Sequence, residues 1–289
     1  MTATGLSDRR GVSWTGAALT AWGVVIFIFL FLPIAWIVFY SFNTGRILQT
    51  WNGFGLEGYR AFFDNPAPRA AVWVSLRVAV CSAIVATLLG SLAGVALARR
   101  PGKWAIGFLL FVALVLVTPE IVDAIALLPW YVLLGKDWNL SLFNNGLVRL
   151  IVSHAVFSTA VVTLIVRARL TGIDETLEEA AADLYATPFR RFTQITLPLM
   201  LPAVLAGGLL AFTLSLDNTV ISAFVFVQGS TPWPVYVLSS VKASLRPEIA
   251  SISTLMFVLT IIAIGLVGLV LRRGGGSSTD VAATMTGTG

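Results

Sequence analysis

Six stretches of the chain stay apolar for long enough to cross a bilayer, which takes about 20 helical residues. They fall at 17–40, 72–98, 104–122, 150–166, 199–227 and 250–271. The first is longer than the core of a signal peptide and has no A-x-A cleavage pattern after it, so it reads as a retained anchor. The pattern predicts an all-α, polytopic membrane protein of six transmembrane helices. It comprises a short N-terminal segment (1–16), a permeation domain (17–271) and a disordered tail (272–289) rich in Gly, Ser and Thr. Three longer polar segments separate the spans on one side, at 41–71, 136–145 and 228–249. No internal repeat is visible.

The segment between spans four and five, about 170–197, is far longer than a turn needs. Leu177, Ala180, Ala181, Leu184 and Tyr185 recur at i, i+3, i+4, i+7 and i+8, one face of a helix. Asp174 or Thr176 is placed to cap its start, and Glu178 and Glu179 sit in the first turn, where the helix dipole favours acids. Thr187-Pro188 has the form of an N-cap followed by proline at the first helical position, so a second helix should begin there. Such a helix could lie on lipid or in a protein groove. The acids Glu178, Glu179 and Asp183 would be repelled by anionic headgroups, and an alanine-rich face suits close packing against protein.

Composition narrows the classes. Hydrophobic residues make up 57% of the 289 and charged residues 11%, where a soluble domain carries roughly 25% charge. That excludes a soluble enzyme, and a nucleic-acid binder despite the net charge of +5. The single Cys81 excludes an intrachain disulfide framework and reads as a small packed hydrophobe. The lone His154 leaves no histidine-based metal cluster and reads as a hydrogen-bonded helix residue. The turn Arg99-Arg100-Pro101-Gly102-Lys103 resists translocation, which sets both chain ends inside, N-in and C-in.

Three acids fall within or beside apolar spans: Glu120, Asp123 and Asp217. An ionised group at the middle of a membrane helix costs roughly 2.5–3.5 kcal/mol on insertion scales, so such residues usually face a pathway or a partner. On straight helices Glu120 would lie about 24 Å above Trp104, and Asp217 about 28 Å above Pro198. Acids without a lysine among them would attract a cation, and aromatic faces such as Trp51, Trp130 and Tyr131 suit ammonium groups and methylenes alike. Three plainer readings stand beside this one. Glu120 caps the helix after Pro119, Asp217 pairs with Arg77, or Asp123 is an outer-surface group.

Glu179-Ala180-Ala181 followed by Ile195-x-Leu197-Pro198 resembles the EAA signature of permease subunits of binding-protein-dependent ABC importers. One position departs: Tyr185 stands where that family usually has glycine. Ser41-Phe42-Asn43, Trp51-x-Gly53-Phe54, Pro119-Glu120-Ile121-Val122, Ser153-His154 and Phe212–Asn218 resemble, in order, the second permease subunit of spermidine/putrescine importers. The resemblance implies a type I importer permease fold in the bacterial cytoplasmic membrane. It implies a coupling segment (Leu177, Glu179, Ala180, Ala181, Leu184 and Tyr185) held by an ATPase, and a substrate pathway carrying Trp51, Glu120, Ser215, Asp217 and Asn218. The family commonly has aspartate where this chain has Asn218. Branches importing iron, sulfate, thiamine or aminophosphonates share the same frame.

No G-x-x-x-x-G-K-[ST] phosphate loop is present. The resemblance therefore implies a transport subunit rather than an enzyme, with no cofactor of its own and ATP and Mg on a partner ATPase. Its implied partners are a second permease, two ATPase subunits, an extracellular binding protein and the lipid bilayer. An ion-driven secondary carrier, which usually shows internal repeats, and an intramembrane hydrolase are the rival classes.

Overall fold

The computed structural model describes residues 14–45, 50–243 and 247–273. The expected N-terminal segment lies almost wholly outside the described residues, as does the tail beyond 273. The helices are α1 (Trp14–Tyr40), α2 (Glu57–Asp64), α3 (Pro66–Arg99), α4 (Lys103–Val117), α5 (Glu120–Val132), α6 (Gly146–Thr171), α7 (Thr176–Asp183), α8 (Pro188–Arg191), α9 (Leu197–Asp217), α10 (Val220–Val225), α11 (Trp233–Ala243) and α12 (Pro247–Arg273). Among the described residues five helices are long and apolar enough to span a membrane.

The third predicted span is not one straight helix. Lys103–Val117 and Glu120–Asp137 form a single apolar unit bent by 104°. The cause is local: Pro119 lacks an N–H, and Thr118 before it is driven into the extended region (φ −62, ψ 128). The straight-helix height for Glu120 is therefore corrected, because the rise from Trp104 ends at Val117. The fifth predicted span is also interrupted. It runs to Asp217, pauses at Asn218 and Thr219, and resumes as α10. The polar segment 228–249 holds a helix, α11, where the sequence suggested a loop.

The described residues divide into two compact units, 14–45 and 50–62 with 247–256, and 63–243 with 257–273. In the first, the end of α1 leads into a closed loop. Asn43 is buried; its Nδ2 donates to the Thr50 carbonyl at 2.8 Å, and its Oδ1 accepts from the Asn52 N–H at 3.0 Å. Gly53 has φ +139, a backbone that side chains rarely adopt. This accounts for both Ser41-Phe42-Asn43 and Trp51-x-Gly53-Phe54 in structural terms. Ser251 on α12 donates to the Ser41 carbonyl at 2.8 Å.

In the second unit α3, α6 and α9 pack together around Ala83, Ala86, Val162, Val166, Leu170, Met200 and Ala211. A Cβ at Gly90 would lie 2.7 Å from the Val162 Cβ, and one at Gly94 2.9 Å from the Val166 Cβ. This Gly-x-x-x-Gly pair lets the helix backbones approach closely, as small residues do in membrane helices. A second cluster joins Val78, Ala124, Tyr131, Leu150, Ile221 and Val225 from α3, α5, α6 and α10. Cys81 does not pack inside; it is exposed on α3.

Candidate functional site

Two places in the second unit combine polar chemistry with unusual backbone. The first is the segment around α7 and α8. Asp174 accepts the Thr176 N–H at 3.0 Å, one of the two caps that the sequence offered. That bond holds the Asp174 carboxyl below its usual range. Its contribution is thus present above the ordinary aspartate value and lost as pH falls through the lowered one. At the other end Tyr185 N–H bonds to the Ala182 carbonyl at 2.9 Å and Ala186 N–H to the Ala181 carbonyl at 3.0 Å. These are the two bonds of a Schellman motif. The residue in the left-handed position is Tyr185, with φ +59. The backbone form that suits glycine is therefore kept by a tyrosine. Tyr185 is 96% exposed, with Leu184 82% and Phe189 76% exposed nearby in sequence. Leu177, Glu179 and Ala180 are exposed too, and Ala181 is half-buried.

This segment is tied to the spans. Arg99 at the end of α3 pairs with Glu175 at 3.2 Å and Glu178 at 3.0 Å, and Glu178 also accepts from the Thr196 hydroxyl at 2.8 Å. Thr187 caps α8 as expected, its side chain accepting the Arg190 N–H at 3.4 Å. From Pro188 the helix is continuous to Asp217 through a π-turn at Phe192–Thr196. Such turns recur at functional sites. One 30-residue helix, about 45 Å long, therefore has the exposed segment at one end and Asp217 at the other.

The second place is where α4 gives way to α5 and α9 to α10. Glu120 is the first residue of α5 and Asp217 the last of α9. Glu120 is half-buried and Asp217 exposed. Arg77 lies over the Trp73 ring at 6.0 Å, and among the described residues it forms no ion pair with Asp217. Asn218 Oδ1 accepts the N–H groups of Ile221 at 3.1 Å and Ser222 at 3.4 Å, so it caps α10 across the break.

Beneath that break lies a hydrogen-bonded chain that the sequence did not connect. Ser82 on α3 donates to Ser215 on α9 at 2.9 Å. Ser215 meets His154 Nδ1 at 2.7 Å, and His154 Nε2 meets Ser222 on α10 at 3.0 Å. All four residues are buried. With Ser82 donating to Ser215, a consistent assignment has Ser215 donating to Nδ1 and Nε2–H donating to Ser222. His154 is thus the hydrogen-bonded helix residue that the sequence suggested; it bonds α9 and α10 directly, and α3 joins through Ser82 and Ser215. No local pattern relates Ser82, His154, Ser215 and Ser222.

Of the aromatic candidates, Trp51 belongs to the first unit, stacked on Phe39 with centroids 4.5 Å apart and edge-on to Phe54 at 4.7 Å. Tyr131 is fully buried, bonded to Ser153 at 2.8 Å and stacked on Phe143. Trp130 is half exposed and lines a cavity of about 320 Å³ together with Asp123, Leu127, Ser153, Phe157 and Ile221. Asp123, for which the sequence also allowed an outer-surface position, therefore faces a cavity.

A membrane bundle with an exposed, acid-flanked helical turn at one end and interrupted spans at the other defines a transport subunit. Residues 86–274 match the family of binding-protein-dependent transport system inner membrane components, and the chain belongs to that family. It is 37% identical over 257 residues to the putrescine transport system permease protein PotI of Escherichia coli K12, covering 86% of this chain and 89% of that one. It is 38% identical over 259 residues to the spermidine/putrescine permease protein PotC of the same strain, covering 89% and 95%. Among solved structures, a bacterial ABC transporter involved in the import of alginate superposes with a TM-score of 0.63 at 16% identity, covering 94% of this chain and 99% of that one. The fold is therefore that of an ABC importer permease. The chain is a multi-pass membrane transport subunit and not an enzyme.

Proposed function

We propose that this chain is one of two permease subunits of an ATP-driven importer that carries a small polyamine, putrescine or spermidine, across the bacterial cytoplasmic membrane. The observation that carries this reading is similarity at 37–38% identity over most of the chain to permeases named for those substrates. Both chain ends lie inside, as the cationic turn after α3 favours. The partners are a second permease, two ATPase subunits holding ATP and Mg, and an extracellular binding protein.

In this reading Glu179, Ala180, Ala181, Leu177, Leu184 and Tyr185 meet the ATPase. The exposed apolar side chains of α7 and α8 support that role, because an unpaired patch of this kind marks a protein contact. ATPase closure moves α7 and α8. The Arg99 pairs pass the motion to α3, and the continuous helix from Pro188 passes it to Asp217. Glu120 and Asp217 then serve the substrate's ammonium groups, Asn218 keeps α10 capped across the break, and Ser215 holds that break through His154. The two charge-bearing positions sit at helix ends, where backbone is already interrupted and small rotations re-aim side chains.

The test is uptake of radiolabelled putrescine and spermidine by the four-component complex in proteoliposomes, with binding protein outside and ATP inside. Accumulation that needs both ATP and binding protein is expected. Uptake by this chain alone without ATP, or ATP-driven uptake of sulfate, iron, thiamine or an aminophosphonate with none of either polyamine, would refute the reading.

A further inference from the structure

The cavity beside α5 has a composition that neither Glu120 nor Asp217 explains. Its walls come from α4 (Val115), α5 (Asp123, Leu127, Trp130), α6 (Ser153, Phe157) and α10 (Ile221). At about 320 Å³ it falls at the small end of ligand pockets. Asp123 is the one charged residue among its lining side chains and makes no ion pair or side-chain hydrogen bond among the described residues. The Ser153 hydroxyl is already committed. It donates to the Arg149 carbonyl at 2.7 Å and accepts from Tyr131 at 2.8 Å. The remaining walls are aliphatic or aromatic. Trp130 lines the cavity and packs edge-on with Trp138, centroids 5.9 Å apart.

A lone carboxylate in an apolar wall costs free energy unless something cationic meets it. An inorganic cation would want several oxygen ligands, and this cavity offers one carboxylate. An alkylammonium fits better: the head takes the carboxylate, the methylenes take Leu127, Phe157 and Ile221, and the Trp130 face accepts either. We infer that Asp123 and Trp130 form a subsite for one primary ammonium end of an aliphatic amine, one turn along α5 from Glu120.

The subsite shares two walls with the buried hydrogen-bonded chain. Ser153 precedes His154 on α6, and Ile221 precedes Ser222 on α10. An occupant pressing on α6 and α10 therefore bears on the residues that set the α9–α10 break. This inference rests on the polyamine reading, so its test must separate the two.

The assembled importer would carry Ala126→Cys, a lining residue, in a Cys81→Ser background. Labelling by a neutral maleimide is timed with and without millimolar putrescine, with 1,4-butanediol as the uncharged control. Putrescine should slow labelling at least fivefold, butanediol should not, and adding Asp123→Asn should abolish the protection. Trp130→Ala should reduce it partly. Val156→Cys, on the α6 wall, repeats the experiment if the first variant does not assemble. Absence of putrescine protection at both cysteines, in complexes that still import putrescine, would overturn the subsite and leave the polyamine reading standing. Protection that survives Asp123→Asn would also overturn it. Failure of the unmodified complex to import any polyamine would remove both.

Discussion

The two ends of the helix from Pro188 to Asp217 are built in opposite ways. The α7–α8 end is exposed; its turns come from neighbours in sequence, an aspartate cap, a Schellman turn and a threonine cap ahead of proline, while the Arg99 pairs with Glu175 and Glu178 tie it to α3. The Asp217 end is held by residues 61 to 133 positions apart in the chain. On the proposed function, the surface that would receive the ATPase takes its helical turns from short-range bonds and its link to the spans from the Arg99 pairs. The break beside Asp217 rests on long-range hydrogen bonds, which a movement between helices would remake.

Four substitutions probe that contrast, from the largest expected effect to the smallest. Leu184→Asp places a charge in the apolar patch, where a centrally packed contact is worth about 2 kcal/mol or more. ATPase co-purification and ATP-driven uptake should fall by more than tenfold, while the chain still inserts. Unchanged co-purification would show that this end is not the docking surface. Asp217→Asn and Glu120→Gln each remove one charge that, on the proposed function, meets the substrate. Charged hydrogen bonds contribute about 1.5–3 kcal/mol, so polyamine uptake should drop roughly tenfold with normal assembly. Full uptake by both variants would leave the acids without a substrate role.

His154→Ala strands buried Ser215 and Ser222 and should cost about 1–3 kcal/mol of stability. A thermal-unfolding series would register it as a lower midpoint, with the exposed segment unaffected in limited proteolysis. If the loss is no larger than for an exposed alanine substitution, the four-residue chain is not structural. Tyr185→Gly removes a left-handed penalty of roughly 1–2 kcal/mol. The isolated turn should exchange its amides more slowly, while ATPase affinity falls only slightly if the exposed ring contributes little. A large loss of affinity would make the ring itself, and not the backbone form beneath it, the reason for a tyrosine at this position.

The α7 helix, its Asp174 cap and the Thr187 cap were legible because each depends on residues within a few positions of one another. The end of α7 was not, because the apolar spacing carried the helix through Leu184 and Tyr185, whereas it stops at Asp183 and Tyr185 takes the left-handed turn position. The number of apolar segments was legible too, since bilayer thickness fixes the length of a span. The bend after span three was only half legible: Pro119 announced a disruption, but a turn of 104° depends on how α5 packs against α10 and α6. The cavity position of Asp123 and the immersion of Trp51 in an aromatic cluster carried no sequence signal. Each depends on which helix faces which.

What the sequence determined by itself is therefore whatever water, lipid and local backbone bonding dictate: the apolar stretches, the break at Pro119, the N-terminal cap of α7 and the all-helical class. The tertiary structure alone decided the close approach of α3 to α6 at Gly90 and Gly94, the linking of Ser82, His154, Ser215 and Ser222, and the walls around Asp123. Helices that are apolar on nearly all sides advertise burial in every direction. Among neighbours equally attractive to hydrocarbon, only shape fit and the pairing of a few buried polar atoms select one arrangement.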